Sequence, residues 1–487
     1  MGSDLFSIGR TALATSKKSI ATTSHNIANA NNENFSRQRI TTESGTPVGE
    51  GDVVMGTGVR IREIKRVHND MVEKKFNDSI SDKAFHEERT YQLERLEEVF
   101  NEINSDGLNK VMSRFFNSFK ELANQPENEV IRTLVRDNAK LVVEDFKRMD
   151  QSLTTIKEAI DNKMGVAVQE INLAADKVAT LNREIIRLEN LGGETGDLRD
   201  QRDEQIRIIS EFMDVETYQD QSGQYMVNIR NVGSLVAGGH VNTLKAGKVK
   251  ADPESQRADE GKTEIYFEAN RNLVITDNFK RGSLRGLVKT RSEEIETLRK
   301  QMDELAYNLA KATNAIHRRG YANKAIPVDE QGRTLASAEL VTGIDFFKEP
   351  TTVNSAANTL ALSDEVTGDL NNISTGLTPN APGDNRVALA ISKLQHEKVV
   401  GPAENTFEEL YLEAVGSLGL TTAKSKIDLE QSEGIHTQAK SIKQRISGVS
   451  LDEETANLVK YQHTYDASAR VIRTADEMFD SVLGMMR

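Results

Sequence analysis

The sequence contains no cysteine and no tryptophan. Without cysteine there can be no disulfide, no iron–sulfur cluster, no cysteine-bound zinc and no thiol nucleophile. Proline is scarce, with 8 in 487 residues, and aromatic residues make up only 5%. No run of about 18 apolar residues occurs, so no transmembrane helix is expected. The first residues, MGSDLFSIGRTALATSKKSI, lack the continuous apolar stretch of a cleaved signal peptide. Such a chain is either cytoplasmic or exported by a route that does not read such a peptide. Positive charge is in deficit. The 62 Lys and Arg stand against 75 Asp and Glu, which argues against a general nucleic-acid binder.

The patterns that catalysis and cofactors need are also missing. There is no HExxH, no phosphate-binding P-loop, no GxSxG elbow and no EF-hand loop. The histidines (His25, His68, His86, His240, His317, His396, His436 and His463) fall in no metal-ligand spacing. Gly56, Gly58 and Gly192-Gly193 read as turns. Acidic pairs such as Glu87-Glu88, Glu293-Glu294 and Glu408-Glu409 lie in helical stretches and read as solvated faces. No catalytic, cofactor-binding or metal-binding residue is assigned. The expected class is structural rather than enzymatic.

What the sequence does contain is helix. Hydrophobic residues are 37% and charged residues 28%, a mixture suited to long exposed helices. No proline precedes Pro47 or follows Pro402, so both ends are free to be helical. The N-terminal stripe is Phe6, Gly9, Leu13, Ser16, Ile20, Thr23 and Ile27, and it ends in the turn-rich residues near 30–34. The C-terminal stripe is Leu458, Tyr461, Tyr465, Ser468, Ile472, Ala475, Phe479 and Val482. Ser450 with Glu453 matches a capping box at its start.

Residues 1–40 carry five basic and two acidic side chains, while residues 451–487 carry four basic and seven acidic. Opposite charge and narrow stripes suit the two ends as partners in a coiled coil or in self-assembly, the alternative being that each helix packs separately on a globular body. The candidate assembly interface is Phe6, Leu13, Ile20, Ile27, Leu458, Tyr461, Tyr465, Ile472, Phe479 and Val482, within the chain and with neighbouring subunits.

Between the ends, a stripe from Leu153 through Met164 and Ile171 to Leu188 predicts a long helix. Segments 80–103, 108–124, 128–150 and 298–316 also read as amphipathic helices. Residues 403–447 read as helix with a break at Gly-Ser-Leu-Gly, 416–419. Alternation predicts a hairpin around 48–66 and a small β subdomain at about 213–280. Five of the eight prolines fall between 327 and 402, together with a low-charge Asn/Thr/Ser/Gly-rich run. This reads as a separate inserted segment.

The fold class is therefore mainly α: long terminal helices forming a coiled coil, a central antiparallel helical bundle with a small β subdomain, and an inserted outer domain. The expected units are 1–35 with 450–487, then 36–320 with 386–449, and 321–385.

Thr22-Thr23-Ser24-His25-Asn26-Ile27-Ala28-Asn29-Ala30, followed by Phe35-Ser36-Arg37-Gln38, resembles the N-terminal motif of the flagellar rod–hook–filament axial proteins. The run 447–462, containing Leu451-Asp452-Glu453-Glu454, resembles the C-terminal motif of the hook-associated members of that family, and 467–484 continues the likeness. Gly-Val-Arg-Ile (58–61), Asp-Leu-Arg-Asp-Gln-Arg-Asp (197–203) and Gly-Ser-Leu-Arg-Gly-Leu (282–287) share the family's style. Where the family usually has Thr-Pro-Gly-Tyr, this chain has Asn32-Glu33-Asn34-Phe35. Asn34 is a residue that can take the left-handed conformation the missing glycine would supply.

The resemblance implies a structural part of the bacterial flagellum, a junction ring joining hook to filament. Its terminal helices would line the inner layer of a tube around the export channel. Subunits would leave the cytoplasm unfolded by type III export, with a chaperone on the C-terminal helix beforehand. The implied partners are further copies of the chain, the hook protein and a second junction protein, with no nucleic acid and no membrane span. The alternatives are another axial protein, or a cytoplasmic coiled-coil adaptor.

Overall fold

The computed structural model describes residues 2–50, 53–100, 107–220, 224–248, 261–324, 341–398 and 405–485. The chain opens with α1 (Gly2–Ala28), then β1 (Gln38–Ser44), β2 (Val48–Glu50), β3 (Val53–Met55) and β4 (Val59–Arg66). β1 pairs antiparallel with β4 from Gln38↔Arg66 to Ser44↔Val59, and β2 pairs with β3. The hairpin is longer than expected and begins at the Ser-Arg-Gln motif itself. Gly58 has φ +99°, and a Cβ there would lie 2.4 Å from the Thr11 hydroxyl. Only glycine lets the hairpin lie this close to α1.

Helices α2 (Asp70–Phe100), α3 (Leu108–Asn124), α4 (Glu129–Asn190) and α5 (Gly196–Phe212) follow. The separate stripes over 128–150 and 153–188 belong to one helix of 62 residues. A single 4,4 step only shifts an apolar stripe around a straight helix; it removes no hydrogen bond. The Asn128 side chain caps the start by accepting from the Val130 N–H at 3.0 Å. Gly192, at φ +73°, ends the helix, and the Gly193 N–H returns to the Leu188 carbonyl at 2.8 Å.

The β subdomain holds a four-stranded antiparallel sheet, β5 (Val215–Gln219), β6 (Tyr225–Ile229), β7 (Gly233–Ala237) and β8 (His240–Val241). A three-stranded sheet joins β9 (Leu244–Lys248), β10 (Thr263–Phe267) and β11 (Asn270–Val274). Val227, Ile229, Leu235, Val236, Leu244 and Ile265 face inward and join the core that α4 lines. Helices α6 (Ser283–Lys289) and α7 (Ile295–His317) complete this half.

The expected outer insertion does not stand apart from the bundle. Residues 325–340 lie outside the described residues, but 341–398, with α8 (Ala356–Thr359), α9 (Asp364–Gly368) and α10 (Arg386–Lys393), fold back onto it. Phe346 and Phe347 are fully buried, with rings 5.7 and 5.9 Å from Phe115. The Asp303 carboxylate accepts the N–H groups of Ser355 and Ala357 at 2.9 and 3.0 Å. Buried Arg132 donates to the carbonyls of Pro126 and Ile373. Prolines and turn residues keep the helices of this segment short, but they do not forbid burial.

The chain returns in α11 (Phe407–Ser447) and ends in α12 (Leu451–Met485). α11 runs through 416–419 without a break. Leu418 is buried, and the packing of that side overrides the two glycines. Its N-terminus carries a complete capping box. Thr406 Oγ1 accepts the Glu409 N–H at 3.1 Å, and Glu409 Oε2 accepts the Thr406 N–H at 2.8 Å. At the start of α12, by contrast, Ser450 Oγ lies 3.5 Å from the Glu453 N–H, and the Glu453 carboxylate goes to Arg37. The box expected there is only half made.

Candidate functional site

The two terminal helices lie against each other, α1 on α12. The buried positions of the seam are small or polar: Gly9, Ser16, Ser19, Thr23 and Asn26 on α1, and Glu454, Ser468 and Ala475 on α12. A Cβ on Gly9 would lie 2.7 Å from Ile472 Cγ1, so the backbones come close here. Leu13, Ile20, Ile27, Leu458, Tyr461, Tyr465 and Ile472 are only half-buried. Phe6, Phe479 and Val482 are 43%, 46% and 52% exposed, so the pair leaves much of each uncovered. The seam runs along the small members of each stripe. Close approach there leaves the large members on its flanks, partly in water.

At the inner end of the pair the motif residues form a polar joint. Asn26 caps the backbone of Gln38 in both directions: its amide donates to the Gln38 carbonyl at 2.9 Å, and its oxygen accepts the Gln38 N–H at 3.0 Å. The same amide donates to Glu454 Oε2 at 3.0 Å. Arg37 donates to Glu453 at 2.5 Å, and its backbone N–H to the Ser447 carbonyl at 2.8 Å. One asparagine thus ties α1, β1 and α12 together. A cleft of about 240 Å³ lined by Thr23, Arg37, Glu453, Glu454 and Tyr461 lies beside it.

The loop 34–38 then docks on α5. Asp197 accepts from Gln38 Nε2 at 2.8 Å and lies 3.2 Å from His25 Nε2. Asp200 accepts the Ser36 N–H at 2.8 Å. Asn34 donates to Glu204 at 2.9 Å and accepts from Arg207 at 2.7 Å. Arg66, at the end of β4, donates to Asp200 at 2.8 Å and to Asp203 at 2.6 Å, with all three side chains buried. Burial pushes the Asp200 carboxyl above its ordinary value, and the Ser36 N–H and Arg66 only partly pull it back. Burial also works against the Arg66 charge, but Asp203 and Asp200 outweigh it and hold that pKa above normal.

Of the family-motif residues, the joint engages His25, Asn26, Ser36, Arg37, Gln38, Glu453 and Glu454. Thr23 is buried in the seam, Ile27 is half-buried, and Asn29 donates to the His25 carbonyl at 3.0 Å. Ser24, Ala28, Leu451 and Asp452 are exposed and outside the joint. Asn34 does not adopt a left-handed conformation. Its contribution is the side chain that bridges Glu204 and Arg207, while Phe35 packs edge-on against His25 at 5.2 Å.

Sequence reasoning passed over Arg66, Glu204 and Arg207, and took Asp197, Asp200 and Asp203 only as family style. The signal was available: 197, 200, 204 and 207 share one helical face. Among the described residues, no His, Asp and Glu cluster could hold a metal ion, and no helix is long and apolar enough to cross a membrane.

Comparison with known proteins bears directly on this arrangement. Residues 93–330 match the family described as "Flagellar hook-associated protein FlgK helical domain". Residues 444–485 match "Flagellar basal body rod FlgEFG protein C-terminal". Flagellar hook-associated protein 1 of Bacillus subtilis (strain 168) is 25% identical across 98% of this chain and 97% of its own length. That of Escherichia coli (strain K12) is 26% identical across 99% of this chain and 100% of its own. The chain belongs to the flagellar hook-associated protein 1 family.

The fold agrees. The structure described as the flagellar hook junction protein FlgK from Burkholderia pseudomallei superposes with a TM-score of 0.63 at 13% identity, covering 77% of this chain and all of that one. Hook-associated protein 1 family members are structural parts of the extracellular flagellum and not enzymes.

Proposed function

We propose that this hook-associated protein forms the ring that joins hook to filament, by packing its α1–α12 pair against the same pair in neighbouring copies. The observation that carries this reading is the uncovered apolar surface of the pair. Phe6, Met478, Phe479, Val482 and Leu483 are each more than two-fifths exposed in the single chain. Contiguous apolar surface of this kind is a protein-contact surface.

On this reading 1–35 with 450–487 form the inner layer, and the bundle forms the layer outside it. The polar joint at Asn26 and Asp200 fixes the angle between the two layers. The hook protein and a second junction protein border the ring on either side. The chain reaches that place unfolded by type III export, with a chaperone on α12 while still in the cytoplasm. The stripes are short of large residues, and isolated helices of this kind are marginal in water, which suits a segment that pairs late.

The test is Phe479→Asp with Val482→Asp. Both side chains are solvent-facing in the single chain, so folding should be unchanged by circular dichroism. Cells carrying only the variant should make hooks without filaments and shed filament subunits into the medium. Wild-type motility from the double variant would overturn the assembly role of this surface.

A further inference from the structure

Between α2, α5 and α11 lies a cleft of about 770 Å³, within the size range of small-molecule pockets. Its apolar lining comes from Phe76, Ile80 and Ala84 of α2 and from Ile208 and Phe212 of α5. α11 contributes His436, Lys440 and Lys443. The His436 ring stacks on Phe76, with centroids 5.4 Å apart and planes at 22°, and its Nδ1 lies 3.3 Å from Ser79 Oγ.

Lys443 is the unmatched group of this cleft. Its side chain is buried, at 6% exposure, and its ammonium lies 4.9 Å from the centre of the Phe76 ring. Among the described residues, no carboxylate comes within ion-pair distance of it. Glu73, Asp203 and Asp200 attract it only through space, and they bond to Arg207 and Arg66 instead. Burial, with Arg207 second, holds its pKa below the ordinary lysine value. An aromatic face is a weaker partner for a buried ammonium than an anion is.

The lining as a whole is balanced, with five basic and five acidic side chains, so the site is made by local mismatch and not by net charge. Most of the acids are held. Glu33 pairs with Lys440 at 2.7 Å, Glu88 with Lys163 at 2.6 Å, and Glu204 accepts from Asn34 at 2.9 Å. Glu87 lies eleven residues beyond Phe76 on α2, about 16 Å along the helix. Glu211 of α5 interacts with it, and burial together with Glu87 pushes the Glu211 carboxyl above its ordinary value. These two carboxyls therefore sit away from the Lys443 end.

We propose that this cleft binds a small organic carboxylate with an apolar body, the carboxylate on Lys443 and the body along Phe76, Ile80, Ile208 and Phe212. Two features select that class. One ammonium beside an aromatic ring suits a single negative charge, whereas the several charges of a polyphosphate would meet Glu33 and Glu204. The apolar lining suits a hydrocarbon body, which an inorganic anion lacks.

The test uses the purified full chain with decanoate as the probe. Isothermal titration should show binding at a single site. Decanol has the same tail without the charge, and acetate has the charge without the tail; each should bind about tenfold more weakly or worse. Lys443→Met keeps the apolar stem and removes the charge. It should fold as wild type by circular dichroism and lose about tenfold in decanoate affinity. A decanoate analogue with a diazirine in its tail, photolysed on the wild-type chain, should label peptides from 76–91, 204–212 or 436–444. No binding, equal affinity for decanol, equal affinity of Lys443→Met, or label confined to other peptides such as those of α12 would each overturn the proposal.

Discussion

Arg66 holds two buried carboxylates, Asp200 and Asp203, at the point where hairpin, motif loop and α5 meet. Arg66→Leu removes the cation that the two carboxylates share, leaving Asp200 with the Ser36 N–H and Asp203 with the Arg202 guanidinium 3.9 Å away, and removing one partner of a buried ionic group typically costs about 3–5 kcal/mol. Urea denaturation should show a loss of that order. Loss near zero would mean that the site is hydrated and the joint carries little stability. His317 makes a different prediction. Its ring is fully buried, Nδ1 lies 2.8 Å from the Ile344 carbonyl, and Nε2 accepts the Ser374 N–H at 2.9 Å. That geometry needs the neutral ring, protonated on Nδ1. Burial lowers its pKa from 6.5 to about 4. As pH falls, the unfolded chain therefore takes up a proton first. The contribution of His317 is complete above pH 6.5 and is lost as pH falls toward about 4, on the order of 3 kcal/mol in all. Stability measured from pH 7 to pH 4 should fall more steeply for wild type than for His317→Gln. Equal slopes would show that the ring is not desolvated.

At the scale of the element, the terminal pair shows how a stripe can predict the partner and misplace the seam. The three-and-four spacing of both ends correctly pairs α1 with α12. It does not say which members touch, because a helix pair approaches where side chains are smallest. Gly9 decides that point. Gly9→Val places methyl groups where Ile472 already sits and should loosen the pair while the bundle keeps its melting temperature. Limited proteolysis should then cut within 1–28 severalfold faster than in wild type. Unchanged cutting would mean that Ile472 rotates aside without cost. The 416–419 glycines teach the converse. Local propensity predicts a break, yet burial of Leu418 and the neighbouring turns keeps α11 continuous.

For the molecule as a whole, the segment after α7 is part of the bundle's end. Its Phe346 and Phe347 share one aromatic cluster with Phe115 and Phe119, and its backbone caps Asp303 and Arg132. Replacing 344–385 with a short Gly/Ser linker should therefore unfold that end. Each lost Phe removes several kcal/mol of packing, about 3–5 for a buried Phe cut to Ala. The deletion variant should bind a hydrophobic dye at neutral pH and show a lowered melting temperature. A cooperative melt at the wild-type temperature would restore the reading of this segment as a dispensable insertion.

The sequence alone was enough for the class, the helical ends and their pairing, the span of α3, the β subdomain and the flagellar family. These depend on local periodicity, on missing residue types and on contiguous motifs, all of which survive being read in one dimension. Tertiary structure alone decided three things. It brought Asn26, Gln38, Arg66, Asp200 and Glu454 into one joint, although they are drawn from three distant stretches of the chain. It buried a Pro-rich run whose composition reads as exposed, because the few large residues in that run, Phe346 and Phe347, meet Phe115 from a distant helix. It also left one face of α11 bare, with Leu420, Ile427 and Ile435 exposed, since whether an apolar stripe is covered depends on what the rest of the chain places beside it. Such contacts are closed by the whole chain at once, and no window of the sequence contains both of their sides.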